Sequence, residues 1–118
     1  DLRAREVRLS VEGGRWSTRF VLDTPAGVAQ LRLALPGAHN VANAAGAAAA
    51  AMACGATLEQ VVDGLARVEP VAGRLQLKAG AAGAWIVDDS YNANPSSAIA
   101  GLDVLAALAQ LAAERRYV

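Results

Sequence analysis

The chain has 118 residues, the size of one small domain. Hydrophobic residues make up 54% of it but aromatic ones 4%, so its core must come from close backbone approach by Ala rather than from bulky side chains. Eleven basic and eleven acidic residues cancel, which argues against the counterion-releasing surface of a nucleic-acid binder and against a polybasic attraction to anionic lipid.

Residues 7–35 alternate with period two. Val7, Leu9 and Val11 share one parity, Gly13-Gly14 makes a turn, and Trp16, Thr18, Phe20 and Leu22 form a second set. After the turn residues Asp23-Thr24-Pro25-Ala26-Gly27, a third set follows at Leu31, Leu33 and Leu35. This pattern predicts a three-stranded antiparallel meander with one buried face. Arg8, Arg15, Arg19 and Arg32 fall mainly on the opposite parity. The basic cluster near the start is interleaved with Asp1, Glu6, Glu12 and Asp23, as a solvated strand face would be.

Pro36-Gly37 closes the sheet, and the period changes. Asn40 is the expected N-cap of an Ala-rich helix over Val41–Ala53, with Gly55 just past its end. Cys54 at that end is the single cysteine, which excludes an internal disulfide and fits a reducing cytoplasm. With no His-Asp pattern beside it, Cys54 reads as a packing thiol. The apolar run Ala44–Cys54 falls short of the roughly 20 residues that a bilayer span needs, so a soluble chain without membrane insertion is expected.

Thr57-x-x-Gln60 has the form of a capping box, and Val61, Val62, Leu65 and Val68 give the next helix its apolar stripe. Pro70 stops that helix. A short strand is expected around Leu75–Leu77, a turn at Gly80–Gly83, and a second strand over Trp85–Asp88. Asn94-Pro95 reads as an N-cap with Pro at the first helical position, opening a long helix to about Arg115. Its expected stripe is Ile99, Leu102, Leu105, Leu108 (or Ala109) and Ala112. Tyr117-Val118 has the look of a strand's first step, so the chain is expected to be a piece of something longer.

Three stretches could carry chemistry. In PGAHNVANAAGAAAA, Asn40 and Asn43 lie one helical turn apart near a helix N-terminus. An Asn amide pairs a donor with an acceptor, which matches the N6 and N7 edge of adenine. The plainer reading is a cap and a solvent-facing polar residue. In VAGRLQ, Arg74 follows a Gly at the start of a strand, and a guanidinium fork suits phosphate. A Gly-Arg pair by itself is common.

In VDDSYNANPSSA, two carboxylates arrive at a strand end, where an acidic side chain is well placed for ribose hydroxyls. Neighbours in extended chain point apart, so one Asp should face a site and the other a partner. An Asx-rich turn capping the next helix is the plainer alternative, and Asn94 serves it. Asp89, Tyr91 and Asn92 are not needed for that.

In order and spacing, the three stretches together resemble the Mur ligases, ATP-dependent enzymes of peptidoglycan assembly. The word DDSYNANP resembles the branch that adds D-alanyl-D-alanine, and the resemblance runs over most of residues 30–118. It implies a mixed α/β segment: the meander, Ala-rich helices and a short strand pair, within a P-loop ATPase domain. Residues 1–88 would be the second half of the central ATP-binding domain, and residues 89–118 the hinge and first helix of a C-terminal domain.

The family pattern implies Asn40 and Asn43 against adenine, Arg74 near the nucleotide phosphates and Asp89 on ribose. Tyr91 and Asn92 match the branch's signature, and His39 adjoins the site without a catalytic role. The implied cofactors are ATP and Mg2+, and the implied partners are UDP-N-acetylmuramoyl-tripeptide and D-alanyl-D-alanine.

The sequence also departs from the family. No Gly-Lys-Thr loop occurs in these residues, and the family's metal-binding Glu and modified Lys have no counterpart here. No catalytic residue is therefore expected, and these residues alone should be inactive as a ligase. Self-association through an exposed apolar face stays open, as does a sister ligase such as folylpolyglutamate synthase. A stand-alone binding or structural domain is the alternative from another class.

Overall fold

A computed structural model describes residues 1–116. Three antiparallel strands, β1 (Arg3–Glu12), β2 (Arg15–Thr24) and β3 (Gly27–Leu33), form a sheet in the order β1-β2-β3. The expected meander is present. Gly13 and Gly14, at φ 58° and 75°, make a two-residue turn whose left-handed backbone matches the twist of the flanking strands. Thr24 braces the second turn, accepting from the Ala26 amide at 3.1 Å and donating to the Gly27 carbonyl at 2.8 Å.

The alternation in β1 is broken by a bulge. Pairing slips between Arg5 and Arg8, and Glu6 takes φ 55°. Two residues there face one on β2, which re-aims the strand. Val7, expected in the buried set, is consequently 45% exposed.

A second departure lies on β2. Trp16, Thr18, Phe20 and Leu22 are buried as expected, but so is Ser17 on the opposite face. Arg32 explains it: its Nε donates to Ser17 Oγ at 2.9 Å, and the guanidinium continues to Glu12 at 2.7 Å. Glu12 also receives Arg19 at 3.0 Å, and Arg5 reaches Asp23 at 2.8 Å, so the interleaved charges do form a solvated face of cross-strand pairs. Exposed pairs of this kind contribute at most about 1 kcal/mol each.

Helix α1 (Ala38–Ala53) begins one turn earlier than expected. Its N-cap is Gly37 at φ 94°, not Asn40. A side chain at Gly37 would sit 2.6 Å from the His39 ring and 3.1 Å from Val104, so Gly is demanded by both backbone and space. Asn40 lies in the first turn, its amide donating to the Pro36 carbonyl at 2.7 Å. Cys54 caps the far end in an exposed position, beyond the last packed turn, and so does not pack. Thr57 opens α2 (Leu58–Ala66) with the expected reciprocal capping box to Gln60, at 3.2 and 2.9 Å.

A second sheet pairs β4 (Gln76–Ala79) with β5 (Trp85–Asp88), antiparallel. Helix α3 (Pro95–Arg116) follows. Asn94 caps it as expected, accepting from the Ser97 amide at 2.9 Å. The expected stripe is buried only at Leu108: Ile99, Leu102 and Leu105 are 61%, 64% and 47% exposed, and it is Val104, outside the expected set, that is buried with Leu108. Ala and Leu alternate so densely here that the sequence offers two apolar faces, and packing selects one. The 18 residues Pro95–Ala112 have a mean hydropathy of 1.3, enough by length and composition to cross a membrane. That departs from the expectation drawn from the shorter Ala44–Cys54 run, because Ala keeps the average high around Asp103. The expected strand start at Tyr117-Val118 lies outside the described residues.

The buried face of the first sheet is divided along its length. Phe20, Leu22, Leu31 and Leu33 pack under Val41, Ala44 and Ala48 of α1 and Val61 of α2. Trp16 and Val11, nearer the Gly13-Gly14 turn, pack instead with Leu75, Val104 and Leu108. Removing equal side chains from the two faces of α3 should separate them: Leu108→Ala costs about 2–5 kcal/mol in urea unfolding, while Leu102→Ala stays within about 0.5 kcal/mol.

Candidate functional site

The approach to β4 is a tight, left-handed piece of chain. Gly73 takes φ 72° and Leu75 φ 50°, with the Arg74 amide donating back to the Val71 carbonyl at 3.0 Å. A positive φ at a Leu is costly and persists only where neighbours hold it. Three contacts hold this one. The Leu75 amide donates to Asp89 Oδ1 at 3.2 Å, its carbonyl accepts the Trp16 indole N–H at 2.7 Å, and the Gly73 carbonyl accepts the Tyr91 amide at 2.9 Å.

These bonds bring Arg74, Asp89 and Tyr91 together from two separate stretches. The Arg74 guanidinium lies over the Tyr91 ring, 4.3 Å from its centroid, and both residues are exposed. Such a cation–π contact is weak at an exposed site, worth about 0.5–1 kcal/mol, so the guanidinium is parked rather than locked. Asn92 is exposed and accepts from the Ala93 amide at 2.9 Å.

The two carboxylates divide their roles. Asp88 receives Lys78 Nζ at 2.5 Å across the β4–β5 pair, and both the Ser90 hydroxyl, at 2.6 Å, and the Ser90 amide, at 3.1 Å. The Lys78 ammonium first, then these donors, hold its carboxyl down at about 2. Asp89, half-buried like Asp88, lines a hollow of about 490 Å³ between the Leu75 turn, β5 and α3, with Asn92 and Gly101.

Asn40 and Asn43 stand apart from this group, on α1. Asn40 is half-buried with its amide nitrogen committed to Pro36, and Asn43 is exposed. His39 is exposed beside Gly37, where α1 meets α3 at Val104. Among the described residues, no three His, Cys, Asp or Glu side chains come together as a metal site.

Two participants escaped the sequence reading. Gly101 lets Asp89 Oδ2 approach to 3.3 Å from where a side-chain carbon would stand. A Gly inside an otherwise good helix, which costs up to about 1 kcal/mol against Ala, was the available signal. The alternation marks Trp16 as core alone, although a buried indole N–H requires an acceptor.

No family model matches the sequence. Among curated proteins, the UDP-N-acetylmuramoyl-tripeptide--D-alanyl-D-alanine ligase of Escherichia coli is 43% identical over 106 residues, 90% of this chain and 23% of the relative. The ligase of the same name from Mycobacterium tuberculosis is 45% identical over 92 residues, 77% of this chain and 18% of the relative. A crystal structure of MurF from Acinetobacter baumannii superposes with a TM-score of 0.81 at 40% identity, over 91% of this chain and 22% of that one. The chain belongs to the Mur ligase family.

MurF of Thermotoga maritima, solved with ADP, shares the fold at a TM-score of 0.68 and 23% identity, over 89% of this Mur ligase chain and 23% of that one. A sister enzyme, the UDP-N-acetylmuramate--L-alanine ligase of Parasynechococcus marenigrum, is 41% identical over 103 residues, 87% of this chain and 21% of the relative. The chain spans about a quarter or less of the length of these relatives.

The depressed Asp88 carboxyl gives a direct test. Its folded value lies below the usual 3.8, so its contribution to stability is complete above that value and is lost as pH falls toward about 2. In carboxyl-detected NMR titrations Asp88 should titrate near 2, and Lys78→Met should move its midpoint up toward 3.8.

Proposed function

We propose that this chain supplies the adenosine side of the ATP site in a ligase that adds D-alanyl-D-alanine to UDP-N-acetylmuramoyl-tripeptide during peptidoglycan assembly. The observation that carries this reading is the joining of Arg74, Asp89 and Tyr91 at one exposed corner, in a chain whose relatives bear that ligase name. The ADP held by the Thermotoga maritima relative supports nucleotide as the ligand.

In this reading the Asp89 carboxylate accepts from ribose hydroxyls. Arg74 swings from the Tyr91 ring to the phosphates, exchanging a weak contact for a charge-assisted one. Asn43 offers its amide to the adenine edge, and Asn40, its amide nitrogen bonded to the Pro36 carbonyl, lies against the base beside it. Tyr91 and Asn92 border the site.

The reaction proceeds by attack of the tripeptide's terminal carboxylate on the γ-phosphorus of ATP, releasing ADP. The D-alanyl-D-alanine amine then attacks the acyl carbon, loses a proton and expels inorganic phosphate. Stabilising the transferring phosphoryl group is the main catalytic demand. None of the residues above is assigned to that step, and magnesium would take its ligands from outside them. These residues alone are therefore inactive as a ligase.

Residues 1–88 correspond in this proposal to the second half of the central domain, and residues 89–118 to the hinge and first helix of the next. The enzyme would be cytoplasmic and would not insert in the membrane.

Calorimetric titration of this chain with ATP, and with GTP as the control, tests the reading. Weak ATP-selective binding is expected, with Asp89→Ala and Asn43→Ala each weakening it roughly fivefold or more, the loss of one or two hydrogen bonds to ligand. Binding that is indifferent to both substitutions would leave Asp89 as a staple for Leu75 and Asn43 as a surface residue.

A further inference from the structure

Trp16 lies on the first sheet, far in sequence from the residues of the proposed site, yet its indole donates a hydrogen bond that links that sheet to the Leu75 peptide, at 2.7 Å. Leu75 is 7% exposed, and Trp16 is 3% exposed. The Leu75 peptide units are thereby gripped from two directions, by Asp89 at the amide and by the indole at the carbonyl.

The grip has a consequence for direction. Leu75 sits at φ 50°, a conformation that relaxes to an ordinary extended one if its restraints weaken. Rotation there would carry Arg74 off the Tyr91 ring and withdraw the amide from Asp89. A carboxylate that loses this donor is free to turn away from any ligand.

We propose that Trp16 is a positioning residue for the nucleotide site, holding Leu75 in its left-handed conformation so that Arg74 and Asp89 face the same ligand. The proposal rests on the nucleotide reading above for its ligand, but the grip itself is measurable without one. Trp16 touches no nucleotide in this arrangement and acts through the Leu75 carbonyl.

The informative variant is Trp16→Phe, which keeps an aromatic ring in the core beside Val11, Val104 and Leu108 and deletes the N–H. Leu108→Ala is its control, since it removes volume from the same cluster and leaves the N–H···O bond in place. Amide hydrogen exchange at Leu75 and the ADP dissociation constant are read on the full chain for both, with thermal unfolding to confirm that each is folded.

Trp16→Phe should speed Leu75 exchange about tenfold and raise the ADP dissociation constant roughly three- to tenfold, the worth of one buried hydrogen bond. Leu108→Ala should lower the unfolding temperature while leaving ADP affinity within about twofold, because the indole N–H still holds the Leu75 carbonyl. If affinity instead falls in step with stability in both variants, Trp16 is core packing and the proposal is overturned. Unchanged Leu75 exchange in Trp16→Phe overturns it as well, whatever happens to nucleotide. Faster exchange with unchanged affinity in a chain that binds ADP overturns the link to the site. If the unsubstituted chain binds no ADP, the nucleotide reading fails and the proposal falls with it, while the exchange data still report the grip separately.

Discussion

The hydrogen bond from the Trp16 indole to the Leu75 carbonyl joins two sheets that share no strand. One part of the meander's buried face packs under α1 and α2 without help from β4, β5 and α3. What attaches the second sheet is a small cluster, Val11, Trp16, Leu75, Val104 and Leu108. Apolar packing is non-directional and would tolerate several placements of β4 against the meander. A buried donor and acceptor at 2.7 Å would not, because sliding either partner leaves a polar group unsatisfied in the core. The bond therefore sets register where the packing alone would not.

From that register the geometry of the Asp88-Asp89 pair follows. β4 and β5 meet with Gln76 opposite Asp88, so Lys78 lies within reach of Asp88, and the next residue, Asp89, has already left the ladder. One carboxylate closes the strand pair, and its neighbour crosses to the Leu75 amide. The alternation of an extended chain, which separates adjacent side chains, is what allows two consecutive Asp to serve different partners. Asp88 is saturated by donors, whereas Asp89 receives the Leu75 amide on Oδ1 and presents Oδ2 toward the Gly101 side.

Legibility in the sequence followed the range of the interaction. The hairpin turns, the Thr57–Gln60 box and the Asn94 cap are local bargains between residues a few positions apart, and each was readable from spacing. The bulge at Glu6 was not, because two residues facing one depends on the partner strand. At Gly37, which takes the N-cap in place of Asn40, the cause is mixed: the nearest obstacle to a side chain is the His39 ring two residues on, and only the next, Val104, comes from the far end of the chain. At α3 the sequence carries more than one apolar stripe, and the buried one runs through Val104 and Leu108 against Val11, Trp16 and Leu75. Of the candidate site, Arg74, Asp89 and Tyr91 were each visible as residue types in suggestive places. Their convergence was not, since it runs through main-chain groups of Gly73 and Leu75 that no side-chain pattern records.

Asp89 lies between two bodies. On one side it is bonded to the Leu75 amide, which Trp16 fixes to the meander; on the other it faces Gly101 of α3. Helix α3 turns Val104 and Leu108 toward the Trp16 cluster, while Ile99, Leu102 and Leu105 face outward. A helix held along so narrow a stripe is positioned by few contacts, and Gly101 is one turn from Val104 on the inward side. A shift of α3 therefore changes the space around Asp89 Oδ2 before it disturbs the core beneath α1. The carboxylate is thus sensitive to where α3 lies, and its other oxygen is anchored to the part of the molecule that stays put.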